Sequence, residues 1–509
     1  MGPTYRDLIL RGARGREERV ALVAGGAGMT FGEVDALSTR FANALLGIGV
    51  APRARIGLLF SNSLLSVPID FACVKANLNR VPLNTRLSLD EHARMLTETR
   101  VEMLLYGPDL AERAAALAAR LPALRTLALE PGADGEPALV LLARDASSQL
   151  PALAVEPDDV VLTLYTSGTT GTLKAAQHTQ SSYAAICRNV MLNLIPAGED
   201  DVMLHAASLI HASGVFVLPF WLRGARTAIM TAFEPVEYLR LLEAEHITAI
   251  NLVPTMLQML VQHPAIGAHD FTALRYIVYG ASPMPQPVLA RAMEIFGRDR
   301  FFQYYGQTEC PLCITVLRPE EHAGKRLRSC GRPVPDVELK LVDADGDEAA
   351  PGSEGEIAVR APSMMAGYFE APQLDAEMRL PGGWLRTRDV GTFDDDGFLY
   401  LLDRTSDMIV TGGYNVYPRE VEDVLLAHPA VRECAVIGVP DETWVEAVTA
   451  VVVADNVSED DLIAFCRDRL ASYKKPRSVI FASTIPKTAV GKLSRKTLRD
   501  LYRTGAVAP

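Results

Sequence analysis

The chain has 509 residues, 49% of them apolar, and its formal net charge is −12. A chain of this length and apolar content can bury a large core in more than one domain, which excludes a small binding module. The acidic balance argues against a general nucleic-acid-binding protein, whose surface should be basic.

Strand-like runs alternate with helical runs through most of the chain, which predicts a layered, doubly wound α/β fold. Thr30 with Glu33, and Ser88 with Glu91, match the capping box that opens a helix. The segment 131–151 is expected to be a loop region. The predicted strands are 56–60, 80–83, 101–106, 160–164, 202–206, 227–230, 248–253 and 276–279, and a surface helix is predicted at 110–121.

The pattern changes at Val337, where short strands separated by turn residues predict a small β-rich subdomain. The polar run DRTSD at 403–407 then precedes a compact α+β segment of ordinary domain size. We therefore expect three parts: an N-terminal domain at 1–402, a hinge at 403–407 and a C-terminal domain at 408–509.

Seven cysteines without framework spacing suggest free thiols in a reducing compartment. Cys310 and Cys313 form a CxxC, but no second pair or histidine cluster favours a zinc or redox site. The N-terminal residues lack a signal-peptide core, and no apolar stretch is long enough to span a bilayer. These features predict a cytoplasmic protein.

The stretch VLTLYTSGTTGTLKAAQ, at 161–177, places a loop rich in hydroxyl groups and glycine directly after a strand. Such a loop can surround an anion such as phosphate with backbone N–H groups, hydroxyl groups and one lysine. An ordinary surface loop is the alternative, and the spacing is not that of a Walker A loop. The residues concerned are Thr166, Ser167, Gly168, Thr169, Thr170, Gly171 and Lys174.

This stretch resembles the phosphate-binding motif of the adenylate-forming superfamily, which includes acyl-CoA synthetases, luciferases and peptide-synthetase adenylation domains. The usual form is YTSGTTGxPKG, and the chain departs from it at Leu173 and Ala175. The resemblance implies a large layered α/β N-terminal domain with a β-rich subdomain, followed by a mobile α+β C-terminal domain.

Further motifs in the same order extend the resemblance over nearly the whole chain. YYGQTE, at 304–309, is similar to the family element that holds adenine, faces phosphate through Thr308 and binds Mg²⁺ through Glu309. Asp389 matches an aspartate that binds the ribose hydroxyls, and Arg404 an arginine that reaches ribose and phosphate. The implied adenine contacts are Gly280, Ala281, Ser282, Tyr304, Tyr305 and Gly306.

Two further residues would lie beside the acid. His211 matches a position that borders the acyl pocket, although a lone histidine beside apolar sequence is more often structural. Lys492 matches the lysine that assists attack of the carboxylate on the α-phosphate, where an ammonium group stabilises the charge of the transition state.

The second step would take place against a loop at 411–415, whose Gly413 and Asn415 the resemblance places near the pantetheine arm of coenzyme A. Trp444 is a candidate contact for that arm or an ordinary core aromatic. Ser406 stands where the family usually has another hinge residue. Any residue whose backbone dihedral angles can absorb the rotation can serve as a hinge. The candidates for the phosphates of coenzyme A are Arg86, Lys475 and Arg477.

The resemblance thus implies an acid–thiol ligase that uses ATP, Mg²⁺ and coenzyme A, with a small carboxylic acid as substrate. The pocket segments 210–220, 280–287 and 303–316 contain no Lys or Arg and no carboxylate except Glu309, which favours an apolar aromatic or aliphatic monocarboxylate. The alternatives are transfer to a carrier-protein phosphopantetheine and a non-catalytic AMP-binding or acyl-adenylate-binding protein. A homodimer is compatible with the sequence.

Overall fold

The computed structural model describes residues 2–132, 137–166, 174–210, 212–282, 284–405, 407–412, 414–441, 443–488 and 493–504. None of the helices within these ranges combines the length and apolar character needed to cross a lipid bilayer.

The first part of the chain alternates strands and helices, as its hydrophobic pattern predicts. Both predicted capping boxes are present, because the Thr30 and Ser88 side chains accept from the N–H groups of Glu33 and Glu91 at 3.2 Å each. The strands are β1 (Val20–Ala24), β2 (Ala27–Thr30), β3 (Arg55–Leu59), β4 (Asn79–Pro82), β5 (Met103–Tyr106), β6 (Arg125–Ala128), β7 (Val160–Thr166) and β8 (Lys174–Thr179). The helices are α1 (Tyr5–Gly12), α2 (Phe31–Gly47), α3 (Ser66–Lys75), α4 (Leu89–Glu98), α5 (Ala111–Arg120), α6 (Leu139–Asp145) and α7 (Gln180–Asn193).

The helix α6 corrects the expectation that 131–151 is only a loop region. Leu139 and Ala143 are buried against Phe41 and Leu45 of α2. This apolar contact stabilises the short helix. The turn residues that flank it in the sequence predict a loop instead.

The alternation continues into a second set of elements and then into shorter strands. The strands are β9 (Val202–His205), β10 (Arg226–Ile229), β11 (Ala249–Leu252), β12 (Tyr276–Gly280), β13 (Phe301–Gln307), β14 (Cys310–Leu317), β15 (Arg332–Pro333), β16 (Glu338–Val342), β17 (Gly355–Arg360), β18 (Gly367–Tyr368), β19 (Arg379–Leu380), β20 (Trp384–Phe393) and β21 (Leu399–Arg404). The helices are α8 (Val217–Arg223), α9 (Pro235–Ala244), α10 (Pro254–Val261), α11 (Gln286–Phe296) and α12 (Pro372–Met378).

Three sheets organise this region, counted over the described residues. The first sheet has the order β15-β14-β13-β12-β11-β9-β10-β1-β2, and the second has the order β18-β8-β7-β4-β3-β5-β6. The third, β16-β17-β20-β19 with β21 beside β20, is antiparallel. The central pairs of the two large sheets are parallel, as expected of a doubly wound fold.

One buried aromatic group holds helices of the two large layers together. The Trp221 ring lies 4.5 Å from the Phe31 ring and 5.1 Å from the Phe71 ring, centroid to centroid. Its indole N–H donates to the Ile9 carbonyl oxygen at 2.8 Å, so the only polar atom of this side chain is satisfied.

The last part of the chain is a small α+β unit with its own core. Its elements are β22 (Ile409–Thr411), β23 (Tyr414–Val416), α13 (Pro418–Leu426), β24 (Val431–Asp441), β25 (Val445–Ala454), α14 (Glu459–Arg467), β26 (Ser478–Phe481) and α15 (Arg495–Arg503). Its sheet has the order β23-β22-β25-β24, with β26 beside β25.

A cluster of charges joins this unit to the predicted hinge. Arg495 of α15 lies 3.6 Å from Asp403, 3.4 Å from Asp407 and 2.7 Å from Glu422. Ser406 itself lies outside the described residues, so its part in rotation stays a prediction, as do the bounds of the three parts of the chain.

Candidate active site

The β7–β8 hairpin brings Lys174 to the edge of the second sheet. In its register Thr166 pairs with Lys174, so the two residues bracket the predicted phosphate loop. The Lys174 ammonium lies 5.8 Å from the centroid of the Tyr368 ring, on the neighbouring strand β18. Ser167, Gly168, Thr169, Thr170 and Gly171 lie outside the described residues.

The turn between β13 and β14 places Glu309 beside that same strand. The Tyr368 hydroxyl donates to Glu309 Oε1 at 2.5 Å, and the backbone N–H of Met365 donates to the Glu309 carbonyl oxygen at 2.8 Å. Glu309 is only 8% exposed. The structure therefore brings together the predicted phosphate-loop lysine and the predicted metal ligand.

Thr308 is held by a histidine from β8. His178 Nε2 lies 2.8 Å from the Thr308 carbonyl oxygen, which can only accept, so Nε2 carries the proton. Burial lowers the pKa of His178 to about 4. This imidazole is therefore neutral near pH 7 and keeps the turn in place without adding charge.

Asp389 and Arg404 face each other across β20 and β21. Arg404 Nε lies 3.3 Å from Asp389 Oδ1, and the Tyr305 hydroxyl donates to Asp389 Oδ2 at 2.6 Å. Burial and the charge of Asp389 raise the pKa of Tyr305 well above its usual value. The carboxylate is thus fixed beside two residues of the predicted nucleotide site.

Gly280 ends β12 at a point of close backbone approach. A Cβ atom there would lie 2.4 Å from the Tyr304 carbonyl oxygen. Ala281 follows with a φ of 66°, which turns the chain sharply at the end of the strand. Glycine is therefore required for the Gly280 and Tyr304 segments to lie side by side. Ser282 is next in the chain, and the adenine contacts of these residues stay a prediction.

A cavity of about 140 Å³ lies next to these residues. One part of its lining comes from the first sheet, including Ala281, Tyr304, Gly306, Gln307 and Thr308. The other part comes from the second sheet and from the helices α7 and α8, including Leu162, Leu164, Tyr183, Ile186 and Val217. His211 lies outside the described residues, although its neighbour Ile210 lines the cavity.

The cavity corrects one premise of the sequence analysis. The three predicted pocket segments do lack Lys and Arg, but β4 contributes Arg80 to the lining and α3 contributes Asp70. The strand β4 lies far from those segments in sequence and reaches the cavity because it pairs with β7.

The candidates for coenzyme A fall into two groups. In the C-terminal unit, the Arg477 guanidinium carbon lies 4.1 Å from the centroid of the Trp444 ring, and the Gly412 N–H donates to the Trp444 carbonyl oxygen at 2.8 Å. Asn415 is exposed on β23 and Lys475 is half-buried nearby in sequence.

Arg86 is exposed after β4, and no hydrogen bond or ion pair between described residues links it to this group. Gly413 and Lys492 lie outside the described residues.

Mg²⁺ fits the donor set around Glu309. Among the residues that the structure describes, no group of three His, Cys, Asp or Glu side chains forms a closed metal cage. One nearly buried carboxylate suits Mg²⁺, which is usually held by one or two carboxylates together with phosphate oxygens and water. Cys310 and Cys313, like the other five cysteines, are buried free thiols.

Sequence reasoning missed the residues that support the predicted ones, notably Tyr368 and His178. Alternation along β8 was a usable signal, because Lys174, Ala176 and His178 occupy every second position and share one face. No local signal marks Tyr368, since the two-residue strand β18 is defined only by its pairing with β8.

The chain is similar to known proteins over most of its length. Residues 10–369 match the family model of AMP-binding enzymes, and residues 420–492 match the C-terminal domain of AMP-binding enzymes. A feruloyl-CoA synthase from Amycolatopsis is 37% identical over 97% of this chain and 98% of that protein. The medium/long-chain-fatty-acid–CoA ligase FadD8 of Mycobacterium tuberculosis is 35% identical over 99% of this chain and 91% of its own. The structure of the amide bond synthetase McbA from Marinactinospora thermotolerans superposes with a TM-score of 0.89, at 31% identity, over 98% of this chain and 100% of its own.

Proposed function

Because this chain belongs to the AMP-binding enzyme family, we propose that it is an AMP-forming acid–thiol ligase. It activates a carboxylic acid with ATP and transfers the acyl group to coenzyme A. Relatives named as CoA synthase and CoA ligase support this assignment over nearly the full length of the chain.

The observation that carries the proposal is the position of three predicted groups around β13 and the turn that follows it, where Thr308 lines the mostly apolar cavity. Glu309 is held by Tyr368, Thr308 is held by His178, and Asp389 is held by Tyr305. A phosphate-facing hydroxyl, a metal-binding carboxylate and a ribose-binding carboxylate beside an acyl-sized space are what acyl-adenylate formation requires.

In the first half-reaction, an oxygen of the substrate carboxylate attacks the α-phosphorus of ATP, and the bond to pyrophosphate breaks. Lys174 and Thr308 bind phosphate oxygens, Asp389 accepts from the ribose hydroxyls, and Lys492 stabilises the charge that develops on the α-phosphate. Glu309 would hold Mg²⁺, which neutralises phosphate charge when bound.

In the second half-reaction, the thiol of coenzyme A attacks the acyl carbonyl carbon, the thiol proton is lost and AMP leaves. The C-terminal unit presents Gly412, Trp444 and Asn415 to the pantetheine arm, and Arg86, Lys475 and Arg477 bind the phosphates. Between the half-reactions the C-terminal unit rotates at 403–407. Lys492 then leaves the active site, and this surface takes its place.

The acid itself is proposed to be a monocarboxylate with an apolar body, aromatic or aliphatic. Leu162, Leu164, Ile186, Val217 and Leu312 give the cavity an apolar wall that repels a charged chain. The names of the two relatives, one aryl and one fatty acyl, are compatible with both kinds of body.

The test is pyrophosphate release with ATP and Mg²⁺ across a panel of benzoates, cinnamates and fatty acids, with and without coenzyme A. Acid-dependent release should fall about a hundredfold or more in Lys492→Ala, because a group that stabilises transition-state charge is lost. Lys496→Ala is the matched control, since Lys496 is an exposed lysine four residues away. Equal activity of Lys492→Ala and the unaltered protein would contradict the assigned role, and release without any acid dependence would contradict the ligase.

A further inference from the structure

A charged pair lies in the mostly apolar lining of the cavity. Arg80 of β4 and Asp70 of α3 form an ion pair through Nη1 and Oδ1, and Arg80 Nε donates to the Val161 carbonyl oxygen at 2.9 Å. Arg80 is only 2% exposed. Its remaining nitrogen, Nη2, is buried and has no hydrogen-bond partner in the described part of the chain.

The guanidinium is braced so that it cannot turn toward solvent. Its central carbon lies 5.2 Å from the centroid of the Tyr5 ring and 5.3 Å from that of the Tyr183 ring. The Tyr5 hydroxyl also donates to Asp70 Oδ2 at 2.9 Å, which fixes the partner. A buried donor left without a partner costs free energy, and in native proteins such groups usually meet a ligand or an ordered water.

The charges of Arg80 and Asp70 restrict which group of a substrate can bind beside them. Arg80 and Asp70 neutralise each other, so a second carboxylate on the substrate would approach Asp70 as well as Arg80. A purely apolar group would leave Nη2 unsatisfied. A hydroxyl group suits both residues, because it can accept from Arg80 Nη2 and donate to Asp70, whose side chain is 22% exposed and whose oxygens have further lone pairs.

We propose that the substrate carries a hydroxyl group at the end remote from its carboxylate, and that Asp70 and Arg80 bind it. This inference rests on the proposed function. The carboxylate reacts beside Thr308, on the first-sheet side of the cavity, and the apolar body crosses to the second-sheet side, where Asp70 and Arg80 lie. The hydroxyl group belongs to a phenol or to an alkanol, and the two arms of the test distinguish them.

The unaltered protein provides the first test. Pyrophosphate release is measured for 4-hydroxycinnamate against 4-methylcinnamate, and for 8-hydroxyoctanoate against nonanoate, pairs in which a methyl group replaces the hydroxyl group at similar volume. In one of the two pairs the hydroxyl acid should have a kcat/KM about tenfold higher or more. Equal values in both pairs, or preference for 4-carboxycinnamate, would overturn the proposal.

Calorimetric titration with the same acids separates this inference from the proposed function. Tighter binding of the hydroxyl acid without pyrophosphate release would support the hydroxyl site and remove the ligase. Pyrophosphate release without any preference for the hydroxyl acid would support the ligase and overturn the hydroxyl site.

Variants then assign the preference to the pair. The double substitution Arg80→Met with Asp70→Leu removes both charges, so no buried charge is left alone. The kcat/KM of the hydroxyl acid should then equal that of its methyl counterpart. The matched control is Arg386→Met with Glu356→Leu, which removes another nearly buried pair at 2.7 Å, in the third sheet, and should keep the preference.

A double variant that retains the preference would also overturn the proposal. Should that variant fail to fold, Arg80→Lys replaces it. Lysine keeps the charge opposite Asp70 but lacks the second nitrogen of the planar fork, so the preference should fall there too.

Discussion

At the scale of single residues, the site depends on side chains that hold other side chains. Glu309, Thr308 and Asp389 are each fixed by a hydrogen bond from a residue on a different strand. Such partners set the orientation of a ligand-binding group without touching the ligand, and their removal usually weakens metal binding substantially.

Tyr368→Phe should therefore raise the Mg²⁺ concentration needed for half-maximal pyrophosphate release by about tenfold. The substitution keeps the ring beside Lys174 and removes only the hydroxyl group that positions Glu309. Titration of the adenylation rate with Mg²⁺ at saturating acid measures the effect.

Tyr400→Phe is the matched control for this prediction. The Tyr400 hydroxyl donates to Asp394 at 3.1 Å in the third sheet, so the same chemical change occurs at a tyrosine–carboxylate pair outside the site. An identical Mg²⁺ dependence in Tyr368→Phe and Tyr400→Phe would mean that the Tyr368 hydroxyl does not position a metal ligand.

At the scale of elements, the surface around Trp444 depends on the absence of a side chain at Gly412. A Cβ atom at Gly412 would lie 2.7 Å from the Trp444 ring, and the residue has a φ of 58°. An alanine there must displace the ring or the β22–β23 turn.

Gly412→Ala should raise the KM for coenzyme A by about tenfold and leave acid-dependent pyrophosphate release in the absence of coenzyme A unchanged. The reason is that this turn is proposed to act only in the second half-reaction. Steady-state kinetics with varied coenzyme A, beside single-turnover adenylation, separate the two steps.

Gly397→Ala controls for backbone strain alone. Gly397 has a φ of 79°, but a Cβ atom there would meet nothing within 4 Å. A loss of adenylation in Gly412→Ala as large as its loss of thioester formation would contradict the assignment of this turn to the second step.

The sequence predicted most elements because their signals are local. Parallel buried strands are continuous apolar runs, and Ser/Thr with Glu three residues later marks helix starts such as those of α2 and α4. The pairing of β18 with β8 could not be read in this way, since it joins residues about 190 positions apart through two residues only. The position of Arg80 was missed for the same reason, because strand order decides which strands border the cavity.

At the scale of the whole molecule, four buried histidines in the described part of the chain couple folding to pH. Burial lowers the pKa of His92, and it lowers that of His178 and of His322 to about 4 and that of His205 to about 3. The unfolded chain therefore binds these protons first as pH falls. Stability is complete above the unfolded pKa near 6.5 and is lost as pH falls toward the folded values.

Within this window each such histidine should lower the free energy of unfolding by about 1.4 kcal/mol per pH unit. Denaturant titrations at several pH values between 6.5 and 5 measure the slope. His322→Asn should make this slope shallower by roughly one histidine's share. The substitution removes the imidazole that takes up a proton on unfolding and whose Nε2 lies 3.0 Å from the Tyr279 hydroxyl in the folded protein.

The control is His246→Asn, which changes an exposed histidine. Burial raises the pKa of Glu422 and so opposes the histidines, which is why slopes are compared between variants. A slope in His322→Asn as steep as in His246→Asn would show that His322 does not contribute.

The burial of all seven cysteines has a consequence for an enzyme proposed to release thioesters. A thioester passes its acyl group to any accessible thiolate, and so a product held near a reactive cysteine would acylate its own catalyst. Burial raises the pKa of Cys73 and Cys310 to about 12 and of Cys330 and Cys466 to about 11, which keeps these thiols protonated and inert. The protein is thereby protected from its own product, and coenzyme A is left as the nucleophile that the activated acid meets.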